Sequence, residues 1–141
     1  MNWKEIFSPE LFIEDMLYRG EIEQYEIDES HPYGQMVSKL CHKSIAWMYK
    51  RILEDYPELL DNIYLVTGSY SMGGIFSSLR MEHSWLEYRL EKQVVVIDLT
   101  VSQFRKISDE LYVGDRSIDY KEYSSICCSN FDDVMDFILS L

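Results

Sequence analysis

The chain has 141 residues, 47% hydrophobic and 14% aromatic, which is enough apolar material for one domain with a single core. Its 25 acidic and 13 basic residues give a formal net charge of −12. That charge argues against nucleic acid and against an anionic membrane surface as partners, because both bind clusters of Lys and Arg. A basic protein or peptide would be attracted instead, although an acidic surface also serves simply to keep a protein in solution.

The three cysteines, Cys41, Cys127 and Cys128, are odd in number and two are adjacent, so they do not form a disulfide framework. This indicates a reducing compartment. The first residues lack a secretory signal, and no apolar run is long enough to cross a membrane. We therefore expect a cytoplasmic protein, or one delivered to a host cytosol by a secretion route that does not use such a signal.

The first predicted helix starts at Ser8, because a Ser cap, Pro9 and Glu10 are typical of a helix N-terminus. Gly20 predicts its end. Residues 21–30 are acidic and irregular, and residues 31–34 predict a turn or loop.

The central helix is predicted over residues 38–56, with Pro57 closing it. Its apolar residues recur every three or four positions and form one stripe: Val37, Cys41, Ile45, Met48, Ile52 and Tyr56.

Residues 63–67 predict a short strand ended by Gly68, and residues 69–78 predict a polar loop. Two longer β-rich runs, 81–90 and 93–100, flank Glu91-Lys92 and predict an antiparallel hairpin.

Residues 111–113 predict a further short strand, and Asn130 predicts the cap of a last helix. The expected fold is therefore α+β, with helices packed on an antiparallel sheet. We expect a single domain over 1–141, in which 1–32 hold the first helix and acidic loop, 33–104 the core, and 105–141 the last strand and helix.

Cys41 lies near the start of the central helix, where the partial positive charge of the helix N-terminus stabilises a thiolate. A thiolate attacks a carbonyl carbon, provided that an imidazole exchanges the proton and a third group orients the imidazole. Read alone, a cysteine on an apolar stripe such as Cys41 is more often buried and inert than reactive.

His83 and Asp98 are predicted to be neighbours across the hairpin. A two-residue turn at Glu91-Lys92 places Trp85 opposite Asp98, so His83 and Asp98 become diagonal neighbours on one face of the sheet. Asp98 follows four aliphatic residues, and a carboxylate in so apolar a strand requires a partner. Each residue also has a plain structural reading, His83 as a strand histidine and Asp98 as the cap of a turn.

The segment from 41 to 100 resembles the core of the transglutaminase-like and papain-like superfamily of cysteine enzymes. His83-Ser84-Trp85-Leu86-Glu87 is similar to the family's H-x-W-x-E pattern, and Val96-Ile97-Asp98-Leu99-Thr100 is similar to its V-I-D-x-T pattern. The resemblance implies a nucleophilic Cys41 at the N-terminus of a central helix packed on the sheet, with His83 and Asp98 completing a Cys-His-Asp triad. Gln35, six residues before Cys41, would by resemblance donate to the oxyanion beside the Cys41 backbone N–H.

No cofactor and no metal are expected. Cys127 and Cys128 show neither C-x-x-C spacing nor a converging histidine. The glycines Gly68, Gly73 and Gly74 lack the Lys-Ser/Thr that follows a phosphate-binding loop.

The predicted function is that of a cysteine-nucleophile amide hydrolase or acyl-transferase, a glutamine deamidase or selective cysteine peptidase that acts on a protein or peptide through a thioester. In size and layout the chain is similar to bacterial glutamine-deamidase effectors and to leader peptidases. The alternative is a non-enzymatic, acidic protein-binding module or inhibitor with the same fold and an inactive site.

Overall fold

The computed structural model describes residues 1–20, 41–71, 80–99 and 111–140, without the side chains of Cys41 and His42. The helices are α1 (Trp3–Ile6), α2 (Pro9–Tyr18), α3 (Cys41–Asp55), a short 3₁₀ helix (Pro57–Leu59) and α4 (Phe131–Leu139). The strands are β1 (Ile63–Ser71), β2 (Arg80–Leu90), β3 (Gln93–Asp98), β4 (Tyr112–Gly114) and β5 (Tyr120–Cys127).

The five strands form one sheet in the order β4-β3-β2-β1-β5, and every neighbouring pair is antiparallel. The predicted α+β class with an antiparallel sheet is confirmed. None of the described helices is long and apolar enough to cross a membrane.

The helix ends follow local signals in the sequence. The Ser8 hydroxyl accepts a hydrogen bond from the Leu11 N–H (3.3 Å), and α2 gives way to Gly20 in the left-handed region at φ 70°. The Asn130 side chain accepts from the Asp133 N–H (3.3 Å) at the start of α4. Both predicted caps are confirmed, whereas α1 was not predicted.

The sheet has two faces with different contents, because successive side chains of a strand point to opposite sides. On the helix face, Leu65, Leu86 and Ile97 belong to the same buried core as α3. The α3 members of that core are Ile45, Trp47, Met48, Tyr49 and Ile52. The predicted stripe is thus confirmed at its described, buried positions.

The opposite side of the sheet, which we call the aromatic face, has a second buried cluster. Its members are Val66, Tyr70, Trp85, Val96 and Tyr120. His83 pairs with Gly68 and alternates with Leu86, and Asp98 alternates with Ile97, so His83 and Asp98 also lie on this face.

Four strand predictions are corrected. β1 does not end at Gly68 but continues to Ser71, so the predicted polar loop is wrong for residues 69–71; residues 72–79 lie outside the described residues. β3 ends at Asp98, although the predicted strand included Leu99, and β4 is shifted by one residue from its predicted position. β5 was not predicted at all, although it closes one edge of the sheet.

Candidate functional site

The β2–β3 hairpin has the register that was predicted for it. Leu90 pairs with Gln93 and Leu86 with Ile97, around a two-residue turn at Glu91-Lys92. Glu91 has φ 56°, a left-handed conformation of the kind that tight hairpin turns require. The register matters for the site because a slip of one residue would place His83 and Asp98 on opposite faces.

His83 and Asp98 form a buried pair at the end of the hairpin remote from its turn. The His83 Nε2 lies 2.6 Å from the Asp98 Oδ2, and each residue is only 1% exposed. The predicted proximity is confirmed, and with it the expectation that Asp98 has a partner. A carboxylate at Nε2 favours the tautomer with its proton on that nitrogen, so Nδ1 is the nitrogen that would exchange a proton with a thiol.

Tyr120 of β5 is a third member of this cluster, and sequence reasoning missed it. Its hydroxyl donates a hydrogen bond of 2.7 Å to the same Asp98 Oδ2 that contacts His83. Burial, followed by the charge of Asp98, raises the pKa of the Tyr120 hydroxyl. Tyr120 therefore stays protonated and acts as a donor.

Aromatic rings enclose the imidazole of His83. The Trp85 ring stacks on it with centroids 5.7 Å apart and an interplanar angle of 27°. Tyr70 meets it edge-on, with centroids 6.1 Å apart at 75°. Asp98 and His83 thus interact in a water-poor environment, where a hydrogen bond to a charged group is stronger than in water.

The H-x-W-x-E pattern has a structural explanation, because its three named residues alternate on β2 and share the aromatic face. The Trp85 indole N–H donates to Glu87 Oε2 at 2.8 Å while its ring stacks on His83. Glu87 in turn accepts from Arg89 and Arg116. Glu87 therefore anchors Trp85, and Trp85 packs against His83.

The charge state of Glu87 follows from those contacts. Burial alone would raise the pKa of Glu87, but the hydrogen bonds from Arg116, Trp85 and Arg89 outweigh burial and hold this pKa below its ordinary value. Glu87 is accordingly a carboxylate at neutral pH, although its side chain is fully buried.

Cys41 is the first described residue of α3, which was predicted to begin at about residue 38, and its side chain lies outside the described residues. The buried stripe of α3 packs against the helix face of the sheet, whereas His83 and Asp98 lie on the opposite, aromatic face. The body of the sheet therefore separates the α3 stripe from His83. A thiol at position 41 can reach the His83 ring only past the end or edge of the sheet.

The chain path sets which end of α3 is available for such an approach. The last turn of α3 is joined through Pro57–Leu59 to the start of β1, whereas His83 pairs with Gly68 toward the end of β1. Cys41 is at the other end of a helix of 15 residues, about 21 Å from its last residue. Gln35, the expected oxyanion donor, lies outside the described residues.

The other two cysteines lie at the end of β5 and directly after it. Cys127 is half-buried and Cys128 is buried, and both are free thiols. The parts of the chain that the structure describes contain no group of three His, Cys, Asp or Glu residues placed to hold a metal ion.

Comparisons with known proteins found no matching family model and no significant similarity to a curated protein or to a solved structure.

Proposed function

We propose that the protein is a cysteine-nucleophile enzyme that cleaves an amide bond through a thioester intermediate. The single observation that supports this best is the buried His83–Asp98 pair, with 2.6 Å between Nε2 and Oδ2. It supplies the base and the orienting carboxylate of a Cys-His-Asp triad, in the strand positions that the H-x-W-x-E and V-I-D-x-T resemblance implies.

In this proposal Cys41 is the nucleophile. Its thiol gives a proton to His83 Nδ1, and the thiolate attacks the amide carbonyl carbon to form a tetrahedral adduct. The carbon–nitrogen bond breaks, the amine or ammonia leaves with the proton from His83, and an acyl-thioester remains on Cys41. Water then attacks the thioester, with His83 as base, and releases the acid and the free thiol.

The position of Cys41 near the predicted start of the central helix supports its role, because the N-terminal end of a helix stabilises a thiolate. Because α3 and His83 lie on opposite faces of the sheet, the proposal requires the first turn of α3 to approach His83 at the end of the sheet where Gly68 and Asp98 lie. By resemblance, Gln35 and the Cys41 backbone N–H would stabilise the oxyanion.

The acyl donor that we propose is a side-chain glutamine or a peptide bond of a protein target. The net charge of −12 favours a target with a basic surface near the cleaved amide, because opposite charges speed encounter. Deamidation, cleavage and transfer to an amine share the thioester, and they differ in the acyl donor and in whether water or an amine arrives second.

The second candidate is a non-enzymatic acidic binding module on the same fold. One observation favours it: His83 and Asp98 are buried on the face of the sheet opposite to the one that α3 covers. In that case the pair would be a satisfied polar element of the aromatic core and Cys41 an ordinary thiol.

Selective alkylation of Cys41 separates the two candidates. The full chain is treated with iodoacetamide at mildly acidic pH, and labelling of each cysteine is measured by peptide mass spectrometry. We expect Cys41 to react much faster than Cys127 and Cys128, because an imidazole and a helix N-terminus together stabilise its thiolate. The variant His83→Asn should abolish this advantage.

The matched control is His42→Asn, which removes the imidazole next to Cys41 in sequence and should leave the labelling rate unchanged. Far-ultraviolet circular dichroism and a melting curve verify that each variant is folded. If Cys41 in the folded wild-type protein reacts no faster than Cys127, the enzyme proposal fails and the binding module is favoured.

A further inference from the structure

The Asp98 carboxylate accepts two hydrogen bonds on the same oxygen. His83 Nε2 lies 2.6 Å and the Tyr120 hydroxyl 2.7 Å from Oδ2. The three residues come from three different strands, β2, β3 and β5. β5 thus reaches Asp98 through the Tyr120 hydroxyl, although its ladder partner in the sheet is β1.

We propose that Tyr120 is a positioning residue for the His83–Asp98 pair, a role that rests on the proposed function. Its hydroxyl holds the Asp98 carboxylate in one orientation and reduces the negative charge that His83 experiences. It therefore sets how strongly the imidazole holds its second proton, and so the pH at which His83 can act as a base.

Packing fixes the Tyr120 ring from three sides. Tyr70 meets it edge-on at 4.9 Å and 81°, and Trp85 does so at 4.9 Å and 63°. Tyr112 stacks on it at 6.0 Å and 25°. A ring held in this way loses little additional conformational entropy when its hydroxyl bonds to Asp98, so the contact is already formed before a substrate binds.

The strands of this face place identified titratable or charged groups around His83. Tyr70 on β1, Asp98 on β3 and Tyr120 on β5 contact His83 itself. Glu87 on β2 is connected to it through Trp85, and Tyr112 on β4 through Tyr120. Asp98 contacts the imidazole directly, and Glu87 is neutralised by Arg89 and Arg116. The hydrogen bond from the Tyr120 hydroxyl to Asp98 is therefore the contact whose removal changes the electrostatic environment of His83 most directly.

The phenolic proton of Tyr120 does not compete with that of His83. Burial and the neighbouring carboxylate raise the pKa of this hydroxyl, so it donates throughout the pH range in which a histidine titrates. Removal of the hydroxyl would leave more negative charge on Oδ2, and an imidazolium next to it would become more stable.

The test is the pKa of His83, measured by NMR of its ring carbons and nitrogens in the full chain with Cys41→Ala. We expect Tyr120→Phe to raise the pKa of His83 by about one, a tenfold change in proton affinity. In the Asp98→Asn background the same change should have little effect, because the charge that Tyr120 moderates is gone. An unchanged or lowered pKa of His83 in Tyr120→Phe overturns the proposal, and so does an equal shift in the Asp98→Asn background.

Tyr112→Phe is the matched control, because it removes a hydroxyl on the same face whose described acceptor is the Asp115 carbonyl oxygen. It should leave the pKa of His83 within experimental error, and a shift as large as that of Tyr120→Phe overturns the proposal. If Tyr120→Phe does not fold, the wild-type hydroxyl proton decides the question. It should be visible by NMR, protected from exchange and displaced by Asp98→Asn, and its absence overturns the proposal.

A second measurement links the pair to the chemistry. With Cys41 intact, Tyr120→Phe should move the pH profile of Cys41 alkylation in the same direction as the pKa of His83. The NMR experiment needs no reactive thiol. If the alkylation rate of Cys41 does not depend on His83, the proposed function is refuted. If the pKa of His83 does not depend on Tyr120, only this inference is refuted.

Discussion

Gly68 and His83 are direct partners across strands β1 and β2, and the glycine leaves room for a third strand to approach. A Cβ added at Gly68 would lie 1.8 Å from the Lys121 carbonyl oxygen of β5. The register of β1 with β5 shifts between Thr67 and Gly68, which marks a β-bulge. The close approach that brings the β5 residue Tyr120 to Asp98 therefore depends on the absence of a side chain at position 68.

We expect Gly68→Ala to destabilise the protein by about 3 kcal/mol, because the backbone of β5 must move to admit the methyl group. The free energy of unfolding, obtained from urea titration followed by circular dichroism, measures the cost. The displacement should also lengthen the Tyr120–Asp98 hydrogen bond, which solvent exchange of the hydroxyl proton reports.

Gly20→Ala is the control for this variant. Gly20 also has a conformation that other residues rarely adopt, with φ 70°, but a Cβ there has no neighbour within 4 Å. Its cost should be about 1 kcal/mol, from backbone strain alone. Equal costs for the two variants would show that the contact with Lys121 is not what requires a glycine at position 68.

The hairpin turn predicts a stabilising substitution. Glu91 has φ 56°, which costs a residue with a side chain about 1 kcal/mol or more, whereas glycine adopts it freely. Glycine also increases the conformational entropy of the unfolded chain, which offsets part of this gain, so Glu91→Gly should raise the free energy of unfolding by about 0.5 kcal/mol. Lys92→Gly should lower it, because Lys92 does not have a positive φ. The melting temperatures of the two variants, compared with that of the wild type, measure these opposite effects at the two positions of one turn.

The sequence predicted those parts of the fold that depend on local signals. The caps Ser8 and Asn130 and the turn at Glu91-Lys92 were found because each acts through its own neighbours in the chain. The proximity of His83 and Asp98 followed from the turn, since antiparallel pairing is determined once the turn length is known.

β5 could not be predicted in the same way. Half of its residues are polar, several are exposed, and the bulge opposite Gly68 breaks the alternation that marks a strand. Gly68 was read as the end of β1 because glycine usually interrupts a strand, whereas here it permits the approach of Lys121. Both errors concern contacts between residues far apart in the chain.

The sequence predicted the His83–Asp98 pair of the candidate site but only part of the residues that surround it. Tyr120 was missed together with β5, because a lone tyrosine in a polar segment gives no sign of a buried acceptor such as Asp98. The separation of the α3 stripe and His83 by the sheet was also not foreseen. Helical periodicity shows that Ile45 is buried, but it does not show which face of the sheet buries it.

Cys128 should be the least reactive thiol of the described chain. Burial, followed by the charge of Cys127, raises the pKa of Cys128 to about 12, whereas Cys127 is half-buried. At mildly alkaline pH we expect alkylation of Cys128 in the folded protein to be about a hundredfold slower than in urea. Peptide mass spectrometry after timed labelling measures both rates.

Cys127→Ser tests the origin of this protection. It removes the neighbouring sulfur group but leaves the burial of Cys128 intact, so Cys128 should stay protected. Rapid labelling of Cys128 in the folded variant would contradict burial as the main cause.

Glu87 should make the largest single ionic contribution to stability on the aromatic face. Its side chain is fully buried and accepts hydrogen bonds from Trp85, Arg89 and Arg116. Glu87→Gln keeps the shape but removes the charge, and we expect a loss of about 3 kcal/mol in the free energy of unfolding at neutral pH. Glu122→Gln is the matched control, because Glu122 bonds the same two arginines from a partly exposed position. Its loss should be below about 1 kcal/mol.

The contribution of Glu87 should also depend on pH in a defined direction. Its pKa in the folded protein lies below the ordinary value of 4.5, so the unfolded chain binds the proton more readily. The stabilisation is therefore fully present above pH 4.5 and is lost as the pH falls through the pKa of the folded state. Urea titrations of the wild type and Glu87→Gln at a series of pH values should show the difference in stability shrinking in acid. A difference that stays constant from neutral to strongly acidic pH would mean that the lost stability comes from packing and not from the charge of Glu87.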